Sequence, residues 1–177
     1  MSESAQVQTI TPSEGVVLAK VVLNIAVGKS GEQLERASKV VEMLSGQKPS
    51  QRKAKESVRD FGIRKGEPIA VIATIRKGRA LEVLKNLLEA RSNLLNASSF
   101  DEFGNVSFGI KEHIEIPGVR YDPEVGIFGM DVCISFEKQG FRVGRRRRAR
   151  AHVGRANRVT KEEAISFIRS KLGAEVR

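Results

Sequence analysis

Three residues, Gly28-Lys29-Ser30, follow a run of β-branched residues and could bind a phosphate. A nucleotide-binding P-loop also needs a glycine five residues before the Gly-Lys pair, because the backbone must wrap the phosphates there. Leu23 occupies that place, and no acidic residue ends a following strand to hold Mg²⁺. The sequence therefore argues against a nucleotide-dependent enzyme. Ser30 and Gln33 instead form a Ser-x-x-Gln pattern, which predicts a capping box at a helix start.

The chain offers few groups for other site chemistry. Its one cysteine, Cys133, and its two histidines, His113 and His152, lack the spacing of zinc ligands, so no metal or cofactor is expected. A single cysteine cannot form an internal disulfide, which favours a reducing, cytoplasmic location. The N-terminus lacks the residue order of a signal peptide, and no apolar run reaches the roughly 18 residues of a membrane span.

Positive charge is concentrated in one segment. The 177 residues include 31 basic and 21 acidic ones, and ten of the basic residues lie between positions 138 and 161, where no acidic residue occurs. The rest of the chain is balanced, because 31 minus 10 leaves 21 basic against 21 acidic residues. Clustered arginines bind phosphates bidentately and release counterions, so the segment predicts an RNA-contacting loop. A nuclear import signal or a solvated tail could carry the same charge. The candidate RNA-contacting residues are Arg145, Arg146, Arg147, Arg148, Arg150, Arg155 and Arg158.

Apolar alternation predicts strands that bury one face. In the strand over residues 20–27, Asn24 lies on the face opposite the apolar set, and in the strand that ends near Arg76, Thr74 and Arg76 do. Helices need to cover only the apolar face, so the polar face is expected to lie open to a large partner. Polar groups also occur on any half-solvated sheet, so this pattern alone leaves both interpretations open.

Three amphipathic helices are predicted, beginning at Ser30, at Arg79 and at the capping box Thr160-x-x-Glu163. The second is expected to continue to residue 95, with an apolar stripe of Leu81, Leu84, Leu88 and Leu95. A hairpin is predicted at residues 104–105, followed by a core strand over residues 128–136. The element order predicts an α+β fold, with helices on one face of a mostly antiparallel β-sheet and the other face open for RNA. Residues 1–15 are expected to form a flexible arm, and residues 16–177 a single RNA-binding domain that contains the basic loop 138–161.

Long strings of residues match a known family. The strings VVLNIAVGKSG, SGQKP, RKAKESVRDFGIRKGEPIA, FDEFGNVSFGIKEHIEIPGVRYDPEVGIFGMDV and HVGRANRVTKEEAI closely resemble the large-subunit ribosomal protein family conventionally numbered five, in its archaeal and eukaryotic branch. The resemblance covers nearly everything from Val21 to the last predicted helix. It implies a non-catalytic constituent of the large ribosomal subunit, present there as a monomer. Such a protein binds 5S rRNA and helps attach it in the central protuberance.

The resemblance also implies contacts to 23S-type rRNA and P-site tRNA, and an intersubunit bridge to a protein of the small-subunit head. The 5S rRNA-binding residues that it implies are Asn24, Gln47, Lys48, Arg52, Lys53, Thr74 and Arg76. The implied tRNA loop contains Arg59, Phe61, Gly62, Ile63, Arg64, Lys65 and Gly66, where Phe61 could equally pin the loop to its own domain. An extra-ribosomal RNA chaperone or regulator is the alternative function.

The arginine run 145–150 has no strong bacterial counterpart, so the resemblance assigns no RNA partner to it. The loop is expected to be mobile when free and to order on RNA, because its arginines repel one another.

Overall fold

Within residues 15–119 and 121–177, which the computed structural model describes, the chain forms a five-stranded sheet, a two-stranded sheet and three α-helices. The strands are β1 (Val16–Ala26), β2 (Ser50–Lys53), β3 (Pro68–Ile75), β4 (Leu94–Leu95), β5 (Val106–Ile110), β6 (Met130–Lys138) and β7 (Glu175–Val176). The helices are α1 (Glu32–Ser45), α2 (Gly78–Glu89) and α3 (Lys161–Leu172). The large sheet has the order β2-β3-β1-β6-β5, and every neighbouring pair is antiparallel. The predicted α+β fold is therefore confirmed.

Strand β1 lies at the centre of the sheet and sets its two faces. Val21, Leu23 and Ile25 are almost completely buried, and all three helices contact β1. Side chains alternate along a strand, so the residues between these three point to the opposite face. Strands β3 and β6 follow the same rule, as the burial of Val71 and Val132 indicates. Helices α1, α2 and α3 therefore pack on the apolar face of the sheet, as predicted.

The start of α1 differs from the prediction. Its N-cap is Gly31, with φ 110°, and no side chain caps the helix, so the capping box predicted at Ser30 is wrong. The Ser30 hydroxyl instead donates a hydrogen bond to Glu67 Oε1 at 2.5 Å. The partner of Ser30 is thus the carboxylate of Glu67, which is distant in sequence, and not the start of its own helix as the Ser-x-x-Gln pattern suggested. At its other end, Gly46 closes α1 in the left-handed conformation at φ 60°.

The second helix is shorter than predicted. It ends at Glu89 rather than at residue 95, and Leu81 is 38% exposed instead of lying on the buried stripe. Ser92 and Asn93 both adopt φ 55°, which turns the chain out of the helix. Leu95 is buried as predicted, but in β4, which pairs in parallel with β7.

The remaining elements follow the sequence pattern with small differences. Strand β1 begins at Val16, before the predicted start at residue 20. The predicted hairpin at residues 104–105 is a turn closed by a single bridge between Phe100 and Val106, while β5 pairs with β6. The carboxylate of Asp101 organises this turn by accepting hydrogen bonds from three nitrogen atoms. The capping box at Thr160 is confirmed.

The arm predicted over residues 1–15 lies outside the described residues except for Gly15. None of the described helices combines the length and apolarity needed to cross a bilayer. Within the described ranges, no group of three or more His, Cys, Asp or Glu side chains is close enough to hold a metal ion.

Candidate nucleic-acid interface

The face of the large sheet opposite the helices is polar and open to solvent. We call it the open face and define it by two rows of Cα partners across the strands. The first row is Ser50, Ile72, Asn24, Asp131 and Gly109, and the second is Thr74, Val22, Cys133 and Ser107. Asn24 and Thr74 are half-buried by their neighbours, whereas Asp131, Cys133 and Ser107 are exposed. Among the described residues, no helix lies over this face.

Four of the predicted 5S rRNA-binding residues meet on the β1–β3 side of the open face. Asn24 and Thr74 lie in adjacent rows of neighbouring strands, and the exposed Arg76 directly follows β3. Gln47 follows α1, and its Nε2 atom donates a hydrogen bond to the backbone oxygen of Thr74 at 2.7 Å. The structure therefore brings together residues that are up to 52 positions apart in sequence (76 − 24).

The other three predicted residues form a cationic rim along the sheet edge. Arg52 and Lys53 belong to the edge strand β2, opposite Ala70 and Pro68, and all four residues of β2 are exposed. Lys48 lies just before this strand and is also exposed. Positive side chains along an edge discourage pairing with another sheet and can meet phosphates beside the open face.

The β2–β3 loop (residues 54–67) is a braced projection. Val58 and Ile63 exchange backbone hydrogen bonds of 2.9 and 3.1 Å, and Ala54 is bonded to both Gly66 and Glu67 at the base of the loop. Phe61, between the paired residues, is 72% exposed. The alternative that Phe61 pins the loop to its own domain is therefore wrong. The tip instead presents an aromatic ring to solvent.

Glu67 connects this loop to the start of α1. Its Oε1 atom accepts the hydrogen bond from Ser30, and its Oε2 atom accepts one from the backbone N–H of Arg64 at 3.2 Å. The Ser30 hydrogen bond, followed by the Arg64 hydrogen bond, lowers the pKa of Glu67 below its ordinary value. The Gly-Lys-Ser sequence thus serves a structural contact at the base of the β2–β3 loop.

The basic loop (residues 138–161) runs from the end of β6 to the start of α3, so both of its ends are anchored and it is not a free tail. Arg145 forms an ion pair with Glu137, whose side chain is only 14% exposed, and its guanidinium lies 5.7 Å from the ring centre of Phe141. Arg158 lies 5.5 Å from the ring centre of Phe103. These contacts hold part of the loop over one end of the sheet.

Most of the other predicted arginines of the loop are available to a partner, whereas the exposed Arg146 donates a hydrogen bond from Nε to the backbone oxygen of Ala149 at 2.7 Å. Arg147, Arg148, Arg150 and Arg155 are exposed, and none of them forms an ion pair with another described residue. Between the loop and the sheet lies a cleft of about 690 Å³. It is lined by Lys20 and Ser135 from the sheet and by Arg150 and His152 from the loop, among others. The predicted mobility of the free loop stays a prediction.

A depression at the centre of the open face was missed by sequence reasoning. It has a volume of about 510 Å³, and its lining includes Asn24, Ile72, Gly109 and Asp131. Asn24 Nδ2 donates a long hydrogen bond of 3.5 Å to Asp131 Oδ2. The signal was present in the sequence, because Asp131 alternates with the buried residues of β6 and so must point to the open face.

Two groups with shifted pKa values lie at or near the sheet. Partial desolvation by the neighbouring strands, reinforced by the carboxylate of Asp131, raises the pKa of the exposed Cys133 thiol, so this cysteine is a poor nucleophile. Burial lowers the pKa of His113, whose Nδ1 atom accepts a hydrogen bond from the backbone N–H of Phe128 at 3.2 Å. His113 is thus a neutral structural residue rather than a candidate acid or base.

An α+β domain with an open polar sheet face, a cationic edge and an anchored arginine loop has the layout of a nucleic-acid-binding protein. Two family models match the chain, "Ribosomal protein L5" over residues 12–64 and the model for the C-terminus of the same ribosomal family over residues 68–167. The chain belongs to the ribosomal protein L5 family. This assignment confirms the resemblance inferred from the sequence strings.

Similar proteins from archaea support the same assignment. The chain is 53% identical over 165 residues to "Large ribosomal subunit protein uL5" of Pyrobaculum aerophilum, covering 93% of this chain and 92% of the relative. The protein of the same name from Sulfolobus acidocaldarius is 52% identical over 161 residues, covering 91% and 90%. That from Nitrosopumilus maritimus is 47% identical over 168 residues, covering 95% and 97%. Membership in a family of ribosomal proteins confirms that the chain is a structural component rather than an enzyme.

Proposed function

We propose that the chain is a structural constituent of the large ribosomal subunit and that it binds 5S rRNA with its open face. Relatives at about half identity are named large ribosomal subunit proteins, and the chain covers at least 90% of the Pyrobaculum and Sulfolobus proteins. The observation that carries the 5S rRNA assignment is the grouping of Asn24, Gln47, Thr74 and Arg76 on an uncovered face. These are the residues that the family resemblance implies for this contact.

The chemistry of the open face suits a structured RNA. Side-chain amides and hydroxyls can donate and accept hydrogen bonds with sugars and base edges, which sequence-specific RNA recognition requires. The cationic rim formed by Lys48, Arg52 and Lys53 lies at one edge, where phosphates of the same RNA can meet it. Specific RNA binding is expected where polar groups that contact bases are flanked by positive charges, because phosphate contacts position the RNA and base contacts select its sequence.

The two loops extend the contact to other RNA. The family resemblance implies P-site tRNA as the partner of the β2–β3 loop, and we assign the loop to it. The exposure of Arg59, Arg64 and Lys65 beside the exposed ring of Phe61 supports this contact. Arginine and lysine side chains can meet phosphates, and an aromatic ring can stack on a base. The basic loop binds ribosomal RNA through its exposed arginines, with 23S-type rRNA as a further partner of the chain. The intersubunit bridge to a protein of the small-subunit head rests on the family resemblance.

Filter binding tests the central assignment. Purified protein should retain labelled 5S rRNA in the presence of an excess of an unrelated structured RNA of the same length. Equal competition by the unrelated RNA would contradict specific 5S rRNA binding. Sedimentation separates the ribosomal function from the extra-ribosomal alternative, because a constituent stays with large subunits through a high-salt wash while a chaperone or regulator is released.

A further inference from the structure

We propose that the central depression of the open face is a nucleobase subsite, in which Asp131 accepts hydrogen bonds from an unpaired guanine of the bound RNA. The inference rests on the proposed function, because it requires that RNA lies on the open face. It assigns a specificity-determining role to a carboxylate in the middle of a surface that binds a polyanion.

The depression presents hydrogen-bond acceptors. Asp131 is exposed and lies directly between Asn24 on β1 and Gly109 on β5. Because Asn24 directs its Nδ2 atom towards Asp131 Oδ2, the amide oxygen of Asn24 is free to face the depression. Gly109 has no side chain, and a Cβ atom at this position would lie 3.9 Å from Asp131 Oδ1, so the space beside the carboxylate is unfilled.

The charge of the depression excludes a phosphate. Its lining contains no lysine or arginine, and Asp131 forms no ion pair with any described residue. A phosphate at this position would bring two negative charges together without a cation between them, which is unfavourable. An RNA group that enters the depression must therefore be uncharged and must supply donors.

Guanine fits these requirements best among the four bases. Its N1–H and N2–H₂ groups lie side by side, so they can donate to both oxygens of one carboxylate. Adenine and cytosine each present one amino group on that edge, and uracil presents one imino group. The half-buried apolar side chains of Val22 and Ile72 line the same depression and can pack against the base plane. This edge of guanine is occupied in a duplex, so the ligand must be an unpaired guanine of a loop or bulge.

The substitution Asp131→Asn tests the proposal by the sign of its effect. Removal of a negative charge from an RNA-binding surface should tighten binding if the carboxylate acts only through electrostatics. The subsite predicts the opposite. An amide of the same shape places a donor against the donors of guanine, so the affinity for 5S rRNA should fall about tenfold, as expected for the loss of a bidentate base contact.

The matched control is Glu82→Gln, which removes the same charge from an exposed position on α2 in the helix layer. Its affinity for 5S rRNA should stay close to that of the wild-type protein, because the charge lies away from the RNA and is screened by salt. Thermal unfolding of both variants should match the wild-type protein, since both side chains are exposed. Unchanged or tighter 5S rRNA binding by Asp131→Asn would overturn the proposal.

Interference by inosine identifies the base. Inosine lacks the N2 amino group of guanine, and 5S rRNA carrying random inosine substitutions can be separated into bound and free fractions. We expect at least one unpaired guanine at which inosine weakens binding to the wild-type protein, and we expect that interference to disappear with Asp131→Asn. Interference of equal strength with both proteins, or at no unpaired guanine, would overturn the subsite. A wild-type protein without preference for 5S rRNA would overturn the proposed function and the subsite together, whereas loss of the subsite alone leaves that preference intact.

Discussion

The open face and the basic loop are both candidate RNA surfaces, yet they are built in opposite ways. The open face sits on a rigid sheet and carries mostly neutral groups such as Asn24 and Thr74, with one carboxylate at its centre. The basic loop carries eight arginines and is held by a few side-chain contacts at its anchored ends. Neutral groups in fixed positions can select a base, whereas clustered charges attract any phosphate. The chain thus separates selectivity and electrostatic affinity into two regions.

The largest expected effect tests the charged half of this comparison. Simultaneous alanine substitution of Arg145, Arg146, Arg147 and Arg148 should weaken binding to 5S rRNA and to an unrelated RNA by similar factors. The dependence of the logarithm of the binding constant on the logarithm of salt concentration should flatten by roughly 2 to 3 units, because Arg146, Arg147 and Arg148 lose phosphate contacts while Arg145 is already paired with Glu137. Filter binding at several salt concentrations measures this slope.

The control for the arginine variant removes Lys39, Lys85 and Lys171, which are exposed on the three helices. We expect it to change the salt dependence by less than about 1 unit, since those charges lie in the helix layer. An arginine variant with wild-type affinity and wild-type salt dependence would show that the basic loop does not bind RNA.

The next effect tests the selective half. Asn24→Ala and Thr74→Ala should each weaken 5S rRNA binding by about 1 to 3 kcal/mol, because each removes a specific polar contact. Binding to unrelated RNA and the salt dependence should stay unchanged. Competition binding measures the ratio of the affinity for 5S rRNA to the affinity for unrelated RNA. Ser166→Ala, on the exposed side of α3, is the control. Loss of the folded state in either variant would contradict the assignment of these residues to an open face.

The β2–β3 loop carries both positive charges and an aromatic ring that can stack on a base. Substitution of Phe61 tests the stacking contribution separately from the charges. Phe61→Ala should leave the melting temperature and 5S rRNA binding unchanged, because the ring is 72% exposed and lies off the open face. It should destabilise P-site tRNA on reconstituted ribosomes by about 1 kcal/mol, at the low end for base stacking on an aromatic ring. The dissociation rate of P-site tRNA measures this loss. An unchanged rate would contradict a stacking role for Phe61.

The smallest effect concerns the contact that holds this loop at its base. Ser30→Ala removes the main cause of the lowered pKa of Glu67, so that pKa should rise towards its ordinary value in an NMR titration. A lowered pKa in the folded state stabilises the fold above the pKa of the unfolded chain and ceases to do so as the pH falls through the folded pKa. The variant should therefore be slightly less stable than the wild-type protein at neutral pH and equally stable in acid. Lys29→Ala, which removes the P-loop-like lysine, should leave the pKa of Glu67 and RNA binding mostly intact.

The local sequence pattern predicted a residue's position correctly where its own strand or helix determines its surroundings. Asn24 and Thr74 reach the open face because each lies between buried residues of a strand, and Thr160 caps α3 because its partner is three residues away. Ser30 carries an equally good local pattern, but its actual partner, Glu67, is 37 residues away. A tertiary contact of this kind leaves no signal near either residue.

Leu95 was placed correctly in the core but in the wrong element. Its strand, β4, forms by pairing with β7 at the end of the chain. The turn between α2 and this strand contains Ser92 and Asn93, which adopt the left-handed conformation although neither is a glycine, so the sequence gives no sign of the turn. The position of Gln47 beside Thr74 likewise depends on how α1 packs against the sheet. The family resemblance supplied this residue, because periodicity gives no information about residues outside strands and helices.

Anchoring at both ends gives the arginine segment a consequence for binding kinetics. Because β6 and α3 hold the two ends of the segment, its guanidinium groups search only the small volume around one end of the sheet. An RNA that first lands on the neutral side chains therefore meets these cations at an effective concentration of about the millimolar range. The second contact then forms within one encounter, so the complex can be captured before the RNA diffuses away.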